Sequence, residues 1–202
     1  MRVIGLTGGI GMGKSAAAAA LRRLGLPVFD ADAAVHRLQA PGGAALPAIA
    51  RAFPGTVQDG RLDRASLRAA VLGDAAALRR LEAILHPMVR AAERRFLARA
   101  RAQGHRLAVL DIPLLFETGG GDRADIVVVV SAPPAVQRQR VRARGRSDSE
   151  IEAIIARQMP DAEKRRRADV VIRTGLSRHH SQRHLRRLVR EWSQHDGEGQ
   201  TA

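Results

Sequence analysis

Lys14 and Ser15 close the stretch Gly8-Gly9-Ile10-Gly11-Met12-Gly13-Lys14-Ser15, which fits the spacing Gly-x4-Gly-Lys-Ser/Thr. The apolar run Val3-Ile4-Gly5-Leu6 precedes it and the alanine-rich run Ala16 to Leu21 follows. A strand, a glycine loop and a helix in that order are the context in which this spacing binds a nucleoside triphosphate. Glycines let successive backbone N–H groups turn toward phosphate oxygens, and the helix N-terminus adds its positive dipole end. In that setting Gly9, Ile10, Gly11, Met12 and Gly13 line the phosphates, Lys14 reaches the β- and γ-phosphates, and the Ser15 hydroxyl ligates Mg2+. The loop defines a donor site and leaves the acceptor open.

Three further groups of residues have the chemistry to complete a transfer site. Asp30-Ala31-Asp32 follows the second strand-like run, and ligands of open α/β sheets bind beyond the carboxyl ends of strands. One of these carboxylates suits a base that takes the proton of an attacking hydroxyl, the other a helix cap; Asp32 is the favoured base and Asp30 is open between the two roles. Leu107-Ala108-Val109-Leu110-Asp111 is an apolar strand ending in an acid, the form whose carboxylate joins the magnesium shell beside Ser15. The run Ile112-Pro113-Leu114-Leu115-Phe116-Glu117 suits a slot for an uncharged part of a substrate, with Pro113, Leu114 and Leu115 as its wall, although core packing is the default for such a run. Arg138, Arg140, Arg142, Arg144 and Arg146 lead into Gly145, and their spacing of four puts Arg140 and Arg144 on one helical face. Those two are the candidates for a lid that meets transition-state charge, and the rest read as solvated surface. His86, in Leu85-His86-Pro87 between two expected helices, reads as a cap or polar anchor, and Arg90, one turn on, as a phosphate ligand. The remaining histidines show no metal-ligand spacing.

The elements that must carry these residues follow from hydrophobic pattern. Short non-alternating runs at Arg2–Leu6, Pro27–Phe29, Leu107–Leu110, Ile126–Val130 and Val170–Ile172 read as five parallel strands buried on both faces. Helical stretches at Ser15–Leu24, Pro134–Arg144, Ser149–Gln158 and Arg178–Ser193 alternate with them, which implies right-handed crossovers flanking the sheet. Residues 33–105 break the rhythm. They hold no convincing strand but amphipathic helices around Ala45–Ala52, Arg64–Leu72, Ala75–Leu85 and Pro87–Gln103, and read as a helical substrate subdomain inserted into a nucleotide core of residues 1–32 and 106–194. The lid falls near 140–158, and residues 195–202 read as a disordered tail.

Composition limits the alternatives. Without cysteine there are no disulfides, thiolate metal sites or thiol nucleophiles. No apolar run approaches the roughly 20 residues of a membrane span, and no leader pattern opens the chain, so the expectation is a cytoplasmic protein without a membrane partner. The net charge of +14 invites nucleic acid, but the arginines are scattered and aromatics make up only 2% of the chain. A solvated basic surface with no obligatory nucleic-acid partner is the reading favoured over a nucleic-acid-dependent ATPase. The absence of asparagine excludes the Asn-Lys-x-Asp guanine signature of GTP switches. The nearest alternative is another small-molecule kinase with a nucleoside, nucleotide or sugar acceptor.

Taken together, Thr7 to Ser15, Asp30-Ala31-Asp32, Leu85-His86-Pro87, Asp111 to Glu117, the Arg140/Arg144 region and Ala168-Asp169-Val170-Val171-Ile172 resemble the dephospho-CoA kinase family, in the family's order and across nearly the whole chain. The resemblance implies an α/β fold of the P-loop NTPase type with a five-stranded parallel sheet, a helical CoA insertion and a lid. It implies ATP-dependent phosphorylation of the ribose 3′-hydroxyl of dephospho-CoA, giving CoA and ADP, in a monomer or weak homo-oligomer. In it Asp32 is the base, Lys14, Arg140 and Arg144 the charge clamp with Arg144 also on ATP, and Thr7 a substrate contact. Where the family carries Asp-Asn-Ser/Asn-Gly after the last strand, this chain has Arg173-Thr174-Gly175, a departure beside the expected adenine position.

Overall fold

The first strand, β1 (Arg2–Thr7), is buried from Val3 onward and feeds the glycine loop directly into α1 (Lys14–Arg23) in the computed structural model, which describes residues 1–194. The alanines of α1 favour helix and are small enough for close packing; Ala17, Ala18, Ala20 and Leu21 face the core. After β2 (Val28–Asp30) and α2 (Ala31–Leu38) come α3 (Leu46–Ala52), the two-residue strands β3 (Val57–Gln58) and β4 (Arg61–Leu62), α4 (Arg64–Val71) and the long α5 (Ala75–Ala102). The chain continues through β5 (Leu107–Asp111), a 3-10 turn at Gly121–Arg123, β6 (Ile126–Ser131), α6 (Pro134–Arg142), α7 (Asp148–Ala156), α8 (Asp161–Arg166), β7 (Val170–Arg173) and α9 (Arg178–Gln194).

The five long strands form one sheet in the order β2-β5-β1-β6-β7. β1 is central, parallel to β5 with Val3 opposite Ala108 and parallel to β6 with Gly5 opposite Val127; β6 is parallel to β7. This is the expected five-stranded parallel α/β sheet. Its core joins Ile4, Leu6, Leu21, Val109, Val128, Val130 and Ile172 to Leu185 and Leu188 of α9. Aliphatic side chains fill it, as the scarcity of aromatics requires.

Two compact units result: Met1–Phe29 with the chain from Arg99 onward, and Asp30–Ala98. The second has its own core of Ala45, Ile49, Phe53, Leu67, Ala77 and Leu85. Two expectations for it need correction. It contains a hairpin, β3–β4, turning at Asp59-Gly60, both with positive φ. Furthermore, Leu85-His86-Pro87 does not separate two helices, because α5 runs unbroken through Pro87. Proline removes one backbone donor, but Leu81, Ile84, Leu85 and Met88 all pack on the unit's core and hold the helix across that gap. The short helix α8 has no counterpart among the expected helices. The tail at 195–202, expected to be disordered, lies outside the described residues.

Candidate active site

The phosphate loop takes its shape from close backbone approach. Gly11 and Gly13 have φ of 73° and 93°, values that disfavour any residue with a Cβ. A Cβ at Gly11 would also lie 2.8 Å from the Gln137 carbonyl oxygen, and one at Gly13 would lie 3.0 Å from Thr174 Oγ1. Gly13 is the residue from which α1 starts; its carbonyl accepts the N–H groups of Ala16 and Ala17. Met12 is buried, its N–H donates to the Gly9 carbonyl, and its sulfur accepts from the Ala132 N–H at 3.1 Å. Ser15 is exposed on the first turn of α1.

Lys14 and Asp111 are brought together: Nζ and Oδ1 are 2.6 Å apart, with the side chains 16% and 4% exposed. β5 is next to β1 in the sheet, with Leu6 opposite Asp111, so the register alone delivers the carboxylate to the loop. Thr7, fully buried, donates its hydroxyl to the Pro113 carbonyl at 2.9 Å. In the segment that follows, Leu114 is exposed and Leu115 is completely buried against Gly5. Leu115 is therefore core, while Pro113 and Leu114 remain accessible.

Arg140 and Arg144 differ in their surroundings. Arg140 donates to the Gly11 carbonyl at 3.3 Å, to Thr174 Oγ1 at 3.1 Å and to the Thr174 carbonyl at 2.7 Å. Arg144 is exposed and has no partner among the described residues. Arg138 and Arg142 pair with Glu152 and Asp148, which fastens α6 to α7, and Arg146, in the connection between them, pairs with Glu150. The Ser147/Glu150 capping box sets where α7 begins. A cavity of about 350 Å³ has Gly13, Ser15, Arg140, Arg144, Thr174 and Arg178 in its wall. It offers arginine and backbone donors beside the loop, a suitable surface for a nucleotide.

Thr174 sits in the segment where the family pattern is broken. It is buried; besides accepting from Arg140, its hydroxyl donates to the Met12 carbonyl at 2.6 Å. One side chain thus ties β7 to the phosphate loop. Its importance was not readable from a motif. The same holds for Gln137, Gln158 and the ion pair of Lys164 with Glu117, whose charged atoms are 2.7 Å apart. Burial pushes the Glu117 carboxyl up, but the hydrogen bond from Lys164, backbone N–H groups including that of Met159, and the Lys164 charge outweigh it and hold the pKa below the ordinary value.

In the second unit, Asp30 caps α2: its Oδ1 accepts from the Ala33 N–H at 2.9 Å. Asp32 is exposed in the first turn of α2 and has no partner among the described residues. His86 and Arg90 are one turn apart on α5 and, with Ala83, Pro87 and Arg94, line a cavity of about 380 Å³. No helix among the described residues is long and apolar enough to cross a membrane.

Comparison with known proteins accounts for this set of features. A model of the dephospho-CoA kinase family matches residues 2–178. The dephospho-CoA kinase of Paramagnetospirillum magneticum is 62% identical over 166 residues, covering 82% of this chain and 78% of the relative. That of Gluconobacter oxydans is 54% identical over 194 residues, covering 94% and 96%. Among solved structures, a Thermus thermophilus protein superposes with a TM-score of 0.82 at 40% identity, covering 94% of this chain and 97% of the other. A shikimate kinase from Acinetobacter baumannii shares the fold at a TM-score of 0.52 and 16% identity, covering 98% and 96%. The family model spans both the glycine loop at Gly8–Ser15 and residues 33–105, and relatives of 54% and 62% identity cover most of the chain: the chain belongs to the dephospho-CoA kinase family.

Proposed function

We propose that the chain transfers the γ-phosphoryl group of ATP to the ribose 3′-hydroxyl of dephospho-CoA, the family's reaction, with Lys14 and the loop N–H groups on the donor and Asp32 as the base. The observation that carries the donor half is the Gly8–Ser15 loop held between buried partners, with Lys14 poised on Asp111. The choice of base rests on the contrast between the acid that ends β2 and the one in the first turn of α2. Asp30 is engaged as a cap, whereas Asp32 is exposed and unpartnered. Asp32 lies two residues beyond a strand's carboxyl end, where ligands of parallel sheets bind. It accepts the hydroxyl proton as the oxygen attacks phosphorus, and ADP leaves.

Arg144, free in the cavity wall, meets the charge that develops on the transferring phosphoryl group. Arg140 acts on that charge while holding Gly11 and Thr174 in place. Thr7 reaches the acceptor's site through Pro113, and Pro113, Leu114 and Leu115 shape the apolar side of it. Leu115 does so from beneath. His86 and Arg90 present a basic groove for the phosphates of the acceptor. The site residues also fit a magnesium ion: the Ser15 hydroxyl and the Asp111 carboxylate are hard oxygen donors of the kind that join nucleotide phosphates around Mg2+. When bound, the ion would neutralise charge on the β- and γ-phosphates. A cytoplasmic location suits a chain without cysteine whose substrates are both small and soluble.

Asp30→Asn and Asp32→Asn test the assignment of the base. Asparagine caps helices as well as aspartate does, so Asp30→Asn keeps both fold and turnover. Asp32→Asn lowers kcat by about 10²-fold or more at unchanged Tm. The opposite pattern moves the base to Asp30.

A further inference from the structure

Ile10, in the phosphate loop, has both backbone groups taken by glutamine side chains. Gln158 Oε1 accepts from the Ile10 N–H at 3.0 Å, and Gln137 Nε2 donates to the Ile10 carbonyl at 2.8 Å. Neither glutamine belongs to the loop or to α1. Gln137 is on α6 and is buried at 6% exposure; Gln158 follows the end of α7. A buried amide without a partner is costly, and here the partner of Gln137 is the loop itself.

Gln158 is anchored in turn. The N–H of the next residue, Met159, donates to Glu117 Oε1 at 3.0 Å, and Lys164 Nζ lies 2.7 Å from the same oxygen. Lys164 is 1% exposed, and Glu117 meets its buried ammonium group from the protein surface. Glu117 ends the segment that begins at Asp111, the partner of Lys14. The two ends of one seven-residue stretch, Asp111 to Glu117, therefore touch the phosphate loop, one through Lys14 and the other through Met159 and Gln158.

We propose that Gln158, together with Gln137, is a positioning residue for the ATP phosphates, and that the Glu117–Lys164 pair holds Gln158 in register. The proposal rests on the reading of Gly8–Ser15 as the ATP phosphate loop. A loop with four glycines has unusually large backbone entropy to lose, and ordering it at the moment of binding weakens affinity. Two side-chain hydrogen bonds to Ile10 order the loop beforehand and leave the N–H groups nearer the start of α1 for the nucleotide. The opposite role, in which Gln158 Oε1 competes with a phosphate oxygen for the Ile10 N–H, reverses the sign of the effect on ATP.

Steady-state kinetics of the full chain decide between them. Gln158→Met keeps the side chain's size and removes the acceptor. It should raise the KM for ATP about tenfold, the effect of one lost hydrogen bond, with kcat and the KM for dephospho-CoA within threefold of wild type. Glu117→Gln should shift the ATP KM in the same direction by less. The Gln137→Met/Gln158→Met pair should raise it by less than the product of the single effects, because both side chains act on one residue. Thermal melting accompanies each variant, and Gln158→Ser replaces Gln158→Met if the latter does not fold. An ATP KM unchanged or lowered in the folded Gln158 variant overturns the proposal. Lys14→Ala separates this from the loop reading: a Lys14→Ala enzyme that still turns over ATP normally refutes the loop's role, whatever Gln158 does.

Discussion

Lys14 Nζ and Asp111 Oδ1 are 2.6 Å apart at the junction of the phosphate loop and the neighbouring strand, and Asp111 is almost fully buried. Removing only the lysine takes a close charge partner away from a buried carboxylate. Lys14→Met should therefore lower stability by about 3 kcal/mol as well as abolish turnover, whereas Lys14→Met/Asp111→Leu should recover at least half of that stability and none of the activity. Urea midpoints measure the first effect and an ADP assay the second. A single variant that unfolds at the wild-type midpoint contradicts the account of this pair.

Arg140 and Arg144 should separate by the kind of damage they cause. Arg140 makes three hydrogen bonds to Gly11 and Thr174, so Arg140→Ala should cost about 2 kcal/mol of stability together with activity. Arg144→Ala should leave Tm within a degree or so of wild type and lower kcat about 10²-fold, as for loss of one donor to transition-state charge. Melting curves read beside kcat make the distinction; an Arg140→Ala enzyme with wild-type Tm refutes the bracing role.

His184 on α9 predicts a pH dependence. Burial, the Arg187 charge and His180 hold its pKa below the ordinary 6.5. The unfolded chain thus binds the proton more readily than the folded one, and stability falls as pH drops from above 6.5 toward the depressed value. His184→Leu should flatten that part of the profile. The measurement is the difference in urea midpoint between wild type and variant from pH 8 to pH 5; parallel profiles contradict it.

The donor site was legible because its chemistry depends on spacing. Glycines at fixed intervals, a lysine and a hydroxyl must be contiguous, and the strands beside them are continuous apolar runs. The hairpin at residues 57–62 escaped notice because each strand has only two residues, although Asp59-Gly60 is a recognised hairpin turn. The local chemistry of Pro87 predicts a break, and tertiary packing on the cluster of Ile49 and Phe53 overrides it. The supports of the loop were invisible for a different reason. Gln137, Gln158, Thr174 and Lys164 act from distant parts of the chain, through single contacts with no characteristic spacing. Position after the strand already favours Asp32 over Asp30 as the base, and the cap that Asp30 makes on α2 adds to that contrast.

The most direct test of the central claim is ADP release coupled to CoA formation, with purified protein, ATP, Mg2+ and dephospho-CoA as the only substrates. The account predicts one ADP and one CoA for each dephospho-CoA consumed, with the new phosphate on the ribose 3′-oxygen and no turnover in Lys14→Ala. Absence of CoA under these conditions, alongside rapid phosphorylation of a nucleoside, nucleotide or sugar, would contradict it.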